Sequence, residues 1–219
     1  MRLKALIPIL LATACVVPRN YGMGVNMQAL APGQVEAAVA GGASYSTRTN
    51  DQCCQTQLAF PVMEANVAVG MSPSWSFNLH GGPAGVEPGF RFRAKAGPVD
   101  LGLLLDTGAG LLNGEGNTVI GSLGGTLYVA GEHGTFLAVG DVVRVLFVGS
   151  ANPIAEDDLV LSGGFAVPVG PVTLRPGAGF VWNALSAPVN SFPEPNVPPF
   201  VGPIWEVFAG LSISIRTSP

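Results

Sequence analysis

The clearest structural signal in the chain lies in residues 158–183, DLVLSGGFAVPVGPVTLRPGAGFVWN. In its first half, Leu159, Leu161 and Phe165 fall on one face at period two, and small or polar residues fall on the other. A Gly-Pro turn at residues 170–171 follows, and the second half alternates in the same way. Period two is typical of β-strands, and one apolar face per strand is typical of strands that cross a bilayer in about 9 to 11 residues. The stretch therefore predicts a hairpin of two transmembrane β-strands.

The composition of the 219-residue chain leaves three possibilities: a large β core, an aggregating chain or a membrane barrel. Charged residues make up only 11%, and mean hydropathy is +0.44, whereas a soluble domain carries about 25% charge. No apolar run reaches the roughly 20 residues that a membrane helix needs. The net charge is −4, and the ten basic residues are scattered, which argues against a nucleic-acid partner.

The N-terminus has the pattern of a secretion signal, and we predict a signal peptide over residues 1–14. The stretch Leu-Ala-Thr-Ala-Cys at 11–15 resembles a bacterial lipobox, which would make Cys15 a lipid attachment site. Ala12 stands where the lipobox usually has Leu, and the same residues also fit ordinary signal cleavage. Either route places the mature protein outside the cytoplasm.

The other two cysteines, Cys53 and Cys54, are neighbours in a polar loop. Adjacent cysteines form a disulfide only with strain, so two readings stay open: a pair of loop thiols, or a strained vicinal bridge. A lone Cys-Cys pair lacks the further ligands of a metal site. We therefore predict no metal site and no cofactor.

Alternation continues through residues 34–216, which we predict to be one all-β barrel domain, preceded by a tether or lead-in over residues 15–33. Strand seven alternates poorly, and Pro176 lies in mid-strand, where we expect a β-bulge. The count is ten strands, with eight as the alternative. The predicted strands cover residues 34–46, 63–71, 75–80, 90–96, 99–106, 118–130, 135–148, 158–169, 172–183 and 204–216.

The even strand count and the alternation of long and short connections resemble those of small bacterial outer-membrane β-barrel proteins, the porin-like and OmpA-type barrels. The resemblance covers about residues 34–216. It implies an up-and-down antiparallel transmembrane β-barrel in the outer membrane of a Gram-negative bacterium, in contact with membrane lipid. Gly210, Ile213 and Ile215 partly resemble the C-terminal assembly signal of such proteins, although the usual terminal aromatic is missing.

If the apolar faces meet lipid, the charged residues of the other faces line the lumen. Buried charges must be paired because their desolvation is costly, so one interpretation is a filled, salt-bridged interior. The other is a narrow water-filled pore, in which basic residues of strand four face carboxylates and bias the passage of ions or small solutes. The lumen-lining candidates are Glu36, Glu64, His80, Arg91, Arg93, Lys95, Asp100, Asp106, Arg175 and Glu206, with Arg216 near the C-terminus.

We predict that the protein is not an enzyme, since the chain contains no nucleophile elbow and no zinc-protease motif. The expected role is a narrow pore, or a structural and surface-contact protein. The Pro-rich connection at residues 184–203 is the candidate surface for a partner. The alternative is a periplasmic, lipid-anchored β-barrel with the faces reversed, which would bind an apolar ligand inside.

Overall fold

The computed structural model describes residues 20–23, 25, 30–47, 58–82, 85–112, 118–131, 134–148, 153–188 and 204–217. Over these residues the regular structure is entirely β. Among these residues there is no helix long and apolar enough to span a membrane. The strands are β1 (Val35–Thr47), β2 (Leu58–Ser72), β3 (Trp75–Gly82), β4 (Gly85–Ala96), β5 (Val99–Leu112), β6 (Thr118–Gly131), β7 (Phe136–Val148), β8 (Ile154–Gly164), β9 (Val167–Val169), β10 (Val172–Pro188) and β11 (Ile204–Arg216).

Strands β1 to β7 each pair antiparallel with the next strand in the sequence, β8 and β9 both pair with β10, and β11 pairs with both β10 and β1. Because β8 and β9 follow one another along the same side of β10, the wall consists of ten strands and is closed. The predicted ten-stranded up-and-down barrel is confirmed.

The barrel is strongly staggered. A line of paired residues that starts at Val35 and runs through every wall strand returns to β1 at Thr47, twelve residues further along. A stagger of this kind tilts the strands by about 35–45° to the barrel axis. Inward and outward residues then alternate along every strand.

The two faces of the wall have opposite chemistry. On β2, Met63 is 77% exposed and Val67 is 44% exposed, whereas Asn66 and Glu64 between them are buried. The same alternation runs through the strands of residues 158–183, where Leu159, Leu161 and Trp182 are exposed. Apolar side chains thus cover the outside, and polar side chains fill the inside.

Strand β7 obeys the alternation better than its sequence suggests. Leu137, Val139 and Val143 are exposed and Ala138 is buried, as the period requires. The irregularity comes from Asp141, a carboxylate on the exposed face between Val139 and Val143.

Most strands extend further than the sequence predicted, and the extension lies at the end opposite the short turns. The predicted loop over residues 81–88 is mostly strand, because β3 runs to Gly82, β4 begins at Gly85 and these two residues pair. In the same way β5, β8 and β10 continue into the predicted loops at 107–117, 149–157 and 184–203. The glycines and prolines in these stretches indicated loops, but glycine does not interrupt a ladder whose hydrogen bonds come from the backbone.

Pro176 does not produce the predicted bulge. The pairing of β10 has the same register on either side of it, with Leu174 opposite Val167 and Gly177 opposite Gly164. The partner strand is interrupted instead, and its gap separates β8 from β9. Proline has no N–H to donate, so the ladder is lost locally without a change of register. Register shifts occur elsewhere, between Gly70 and Ser72 and between Asn183 and Leu185.

The predicted Gly-Pro turns at 97–98 and 170–171 are confirmed as two-residue connections. Gly97 and Gly170 have φ values of 64° and 60°. Positive φ at the first turn residue favours glycine and suits the twist of a hairpin. These turns, with the one at residues 73–74, define one open end of the barrel, named here the turn mouth. The opposite end, where the Gly82–Gly85 connection lies, is the loop mouth.

Candidate functional site

Described residues that precede β1 lie within the barrel and at its two ends. At the turn mouth, the Gly33 N–H donates to the Gly70 carbonyl at 2.8 Å. Toward the loop mouth, the Asn20 Nδ2 amide donates to the Gly85 carbonyl at 3.4 Å. The described residues of this stretch, 20–23, 25 and 30–33, are named here the lumen segment. The sequence predicted a tether here; the domain boundaries themselves stay a prediction.

Two carboxylates of the wall hold the lumen segment. Glu64 accepts hydrogen bonds from the backbone N–H groups of Tyr21 and Met23, at 2.5 and 2.7 Å. Glu206 accepts one from the Tyr21 hydroxyl at 2.5 Å. Because Glu64 and Glu206 are both buried, these are charge-assisted bonds in a water-poor site, which makes them strong.

Apolar contacts add to this attachment. The ring of Tyr21 lies 4.7 Å from that of Phe208, centre to centre. Val25 is buried and belongs to a hydrophobic cluster with wall residues of β5, β6 and β7, namely Leu104, Tyr128, Ala130 and Ala138. The segment therefore fills space in the lumen that wall side chains would otherwise have to fill.

Glycines of the wall make room for the segment. A Cβ atom at Gly82 would collide with the Asn20 side chain, and one at Gly210 would lie 2.5 Å from Met23 Sδ. A Cβ atom at Gly70 would collide with the Ala31 carbonyl. These three positions lie on β3, β11 and β2. Together with Glu64 and Glu206 they form the wall surface that holds the lumen segment, named here the seat, and they come from distant parts of the sequence.

A second polar cluster, named here the wall cluster, lies near the turn mouth. Glu36 is fully buried and faces the Arg175 guanidinium in a bidentate pair at 3.1 and 3.3 Å. Arg216 also bonds Glu36 through Nε. The three residues lie on β1, β10 and β11, so this cluster links the strands that close the barrel.

His80 connects Glu64 to a further carboxylate of the lumen, Glu87. Its Nε2 atom lies 3.2 Å from Glu64 Oε2, and its Nδ1 atom lies 3.4 Å from Glu87 Oε2. Glu87 also accepts a hydrogen bond from the Ser122 hydroxyl at 3.3 Å. Glu87 was not a sequence candidate, because it falls in the stretch that its glycines and prolines indicated as a loop.

A third cluster was also missed from the sequence. Arg144 is buried and pairs with Asp158, which accepts a further hydrogen bond from the Asn183 amide at 2.9 Å. Glu156 is buried on the same strand as Asp158. Arg144 lies in an apolar run, and only the alternating register of β7 would have placed it inside.

The basic row of β4 divides along the barrel axis. Arg91 is buried and donates to the Ser76 hydroxyl at 3.2 Å. Arg93 pairs with Asp100 at 3.2 Å and also donates to the Pro73 carbonyl, at the turn mouth. Lys95 is exposed, because it lies next to the turn at 97–98. The predicted row of three lumen cations is therefore one deep arginine, one paired arginine at the rim and one exposed lysine.

Asp106 is half-buried and lies on the inward face of β5. A Cβ atom on its neighbour Gly124 would touch its carboxylate, so glycine makes room for the charge. That these candidates line a conducting lumen stays a prediction.

One cavity lies beside the lumen segment. It has a volume of about 20 Å³ and lies between Tyr21, Met23, Arg175 and Phe208. This is enough for about one water molecule. In the described part of the chain, no group of three His, Cys, Asp or Glu residues is arranged to hold a metal ion.

Several predicted features fall outside the described residues: the signal peptide, Cys15, Cys53, Cys54 and residues 189–203 of the candidate partner loop. Lipid attachment and partner binding there stay predictions.

Comparison with solved structures finds β-barrels of similar architecture. Neisserial surface protein A is 9% identical, with 83% of this chain and 95% of that chain covered and a TM-score of 0.38. Ail of Yersinia pestis, in complex with the heparin analogue sucrose octasulfate, is 8% identical, with 85% and 99% covered and a TM-score of 0.32. The outer membrane protease OmpT of Escherichia coli is 6% identical, with 87% and 99% covered and a TM-score of 0.31.

These comparisons, at TM-scores below 0.5, add no argument about family or role, and the closed ten-stranded barrel rests on the strand pairings. No protein-family model and no curated protein sequence matches the chain. At these identities the likeness concerns the fold alone.

Proposed function

We propose that this protein is an outer-membrane β-barrel whose lumen is closed by its own chain, and that its role is structural or one of contact at the cell surface. The observation that carries the proposal is the pairing of an apolar outside with a lumen filled by charged clusters and the lumen segment. The outside suits lipid, and the described lumen segment takes up space that solutes would need inside.

The outer surface supports placement in a membrane. Large apolar side chains such as Leu123, 67% exposed, and Leu127, 65% exposed, cover it. All three tryptophans of the chain, Trp75, Trp182 and Trp205, also face outward. An apolar band with aromatic residues toward its edges is typical of outer-membrane barrels. In water the same surface would promote aggregation.

The lumen favours a closed barrel over a permanently open pore. Glu64 and Glu206 accept hydrogen bonds from the lumen segment, and Glu36 forms ion pairs with two arginines. Eight strands enclose an interior just wide enough for side chains. The additional width of ten strands here accommodates a stretch of backbone.

The reversed arrangement, a periplasmic lipid-anchored barrel with an apolar ligand inside, is disfavoured by the same pattern. Its interior would have to be apolar, yet buried Asn66, Asn78 and Glu206 face inward here. The proposal also includes no catalytic role. Likeness to one protease at a TM-score of 0.31 carries no argument for hydrolysis.

The surface role belongs to the loop mouth. We place the candidate partner surface in the connection over residues 184–203, and the membrane attachment, if the lipobox is used, at Cys15. Deletion of residues 189–203 should remove partner binding without loss of barrel formation.

The proposal is tested by reconstituting the refolded full chain in lipid vesicles and in planar bilayers. We expect faster gel migration before boiling than after, and quenching of tryptophan fluorescence by lipids brominated in their acyl chains. We expect no steady ionic conductance. A protein that remains soluble without lipid, with tryptophans that brominated lipid does not quench, would overturn the membrane placement.

Leu161→Arg tests the lipid face in a single position, since Leu161 is outward-facing in mid-strand. We expect the variant to lose about 2–4 kcal/mol of folding free energy in lipid, because arginine on the lipid face near the bilayer centre costs that much. Leu161→Ala is the control, with loss of apolar area and no charge. Equal behaviour of the two variants in vesicle folding would contradict the assignment.

A further inference from the structure

We infer that the lumen segment is a removable plug, and that the barrel without it is a cation-conducting channel. The inference rests on the proposed membrane-embedded, closed barrel, and adds to it an activity that closure suppresses. The cargo would be small inorganic cations, of which K⁺ is the probe.

The first argument is that the segment is attached to the wall and is not part of it. Its backbone joins the sheet at the turn mouth, where Gly33 and Gln34 bond the two main-chain groups of Gly70. Residues 20–25 belong to no strand pairing among the described residues. They are held by side chains of Glu64 and Glu206 and by packing on Phe208.

The second argument is that the wall closes without the segment. Every seam between neighbouring wall strands has its own ladder, and the closing seam between β1 and β11 spans twelve residue pairs. The wall cluster adds ion pairs across the strands around that seam. Loss of the segment therefore removes the filling and leaves the cylinder.

The third argument concerns the charge that would remain in the emptied lumen. Five carboxylates of the described wall are buried, against three arginines and one histidine: Glu36, Glu64, Glu156, Asp158 and Glu206 against Arg91, Arg144, Arg175 and His80. Glu64 and Glu206 bond the segment, and Glu64 also bonds His80. Removal of the segment takes its donors away from both carboxylates and leaves a lumen with an excess of buried acidic groups, and carboxylate-lined constrictions favour cations.

The shape of the seat points to this segment as the occupant. Gly82 and Gly210 lie where Asn20 and Met23 need space. The two acceptor oxygens of Glu64 match the N–H groups of residues 21 and 23, one on each oxygen. Gly22, between these two residues, has a φ of 69°, and its carbonyl accepts a hydrogen bond from the Val25 N–H at 2.9 Å, so the site suits a turn with tyrosine just before its glycine.

The experiment compares the full chain with a variant that lacks residues 20–31, both refolded and checked for heat-dependent gel mobility, in planar bilayers containing KCl. We expect no steady ionic current through the full chain and a steady current through the variant, with permeability higher for K⁺ than for Cl⁻. Adding Glu64→Gln and Glu206→Gln to the deletion should move the permeability ratio toward one. A synthetic peptide of residues 20–31, NYGMGVNMQALA, should block the deleted channel, and its Tyr→Phe version should block it more weakly.

A point variant keeps the proposal testable if the deletion folds poorly. Gly82→Val pushes on Asn20 and Glu64, whereas Gly81→Val, one residue away, meets only the Gly85 carbonyl at 4.0 Å. We expect channel openings for Gly82→Val and a quiet barrel for Gly81→Val. Equal behaviour of the two would count against the plug.

The outcomes separate this inference from the proposed function. A folded deletion variant that stays silent, or that conducts without preference for K⁺, overturns the inference and leaves the closed barrel intact. A full chain that conducts as strongly as the deletion variant overturns the closed lumen itself.

Discussion

The wall cluster and the seat of the lumen segment both contain buried carboxylates, but they differ in the groups that bond these carboxylates. Glu36 is bonded by Arg175 and Arg216, side chains of neighbouring wall strands. Glu64 and Glu206 are bonded by the backbone and the hydroxyl of a segment that belongs to no described strand, and Glu64 is also bonded by His80. The first arrangement stabilises the barrel wall, and the second holds the lumen segment inside it. Variants of the wall cluster should therefore lower the stability of the barrel, whereas variants of the seat should release the segment.

The largest effect is expected at the wall cluster, for Glu36→Gln. This change leaves two arginines without their carboxylate, and removing one partner of a buried ion pair costs about 3–5 kcal/mol. The measurement is urea unfolding of the lipid-reconstituted barrel, followed by tryptophan fluorescence.

The double variant Glu36→Gln with Arg175→Gln is the control for Glu36→Gln. It should recover part of the lost stability, because one of the two uncompensated charges is gone. A Glu36→Gln barrel as stable as the native one would show that the cluster does not hold the seam.

An intermediate effect is expected at the seat, for Glu64→Gln. Glutamine offers one carbonyl oxygen where the carboxylate offers two, so one of the N–H groups of Tyr21 and Met23 loses its acceptor. Loss of a hydrogen bond to a charged group costs about 1.5–3 kcal/mol, and it should appear as bilayer channel openings with the gel shift retained. Asp106→Asn, the same change on another inward carboxylate, should remain quiet. Openings of equal frequency in both variants would show that they do not result from the loss of a hydrogen bond between Glu64 and the lumen segment.

A smaller effect is expected for Tyr21→Phe, which removes the hydroxyl that bonds Glu206 and keeps the ring that packs on Phe208. We expect a loss of about 1–2 kcal/mol in the attachment of the segment, detected as faster hydrogen exchange of the Met23 amide. The matched control is Tyr45→Phe, because Tyr45 packs on Trp205 on the outer face at 6.3 Å. An unchanged exchange rate of the Met23 amide in Tyr21→Phe would show that the hydrogen bond to Glu206 does not hold the lumen segment.

The smallest effect is expected at the rim, for Arg93→Gln. Its pair with Asp100 is partly exposed, and such pairs contribute less than about 1 kcal/mol and weaken in salt. The difference between variant and native barrel in urea unfolding should shrink from low to high salt. A loss as large as that of Glu36→Gln would mean that the rim and the wall cluster do not differ as the account requires.

The wall could be predicted from the sequence because its rule is local. In residues 158–183, period two alone places Leu159, Leu161 and Trp182 on the outside, where the structure has them. The short turns were recognised from their Gly-Pro pairs. Strand ends were less predictable, because glycine and proline near the loop mouth suggested loops where backbone pairing continues.

The contents of the lumen could not be predicted in the same way. Residues 20–33 have no periodicity, and their attachment depends on Glu64 and Glu206, which are 43 and 185 positions away from Tyr21. Arg144 was hidden in an apolar run, and Glu87 in a stretch rich in glycine and proline. Strict application of the alternating register to β7 would have identified Arg144, but no local pattern marks the glycines that make the seat.

The position of Tyr21 tests the account most directly, and it can be measured on the native sequence. In detergent micelles, nuclear Overhauser effects should connect the ring protons of Tyr21 with those of Phe208, whose ring centres lie 4.7 Å apart, and the Tyr21 amide should be protected from exchange. A Tyr21 ring that contacts water or detergent, with an unprotected amide and no contact to Phe208, would contradict a barrel closed by its own N-terminal segment.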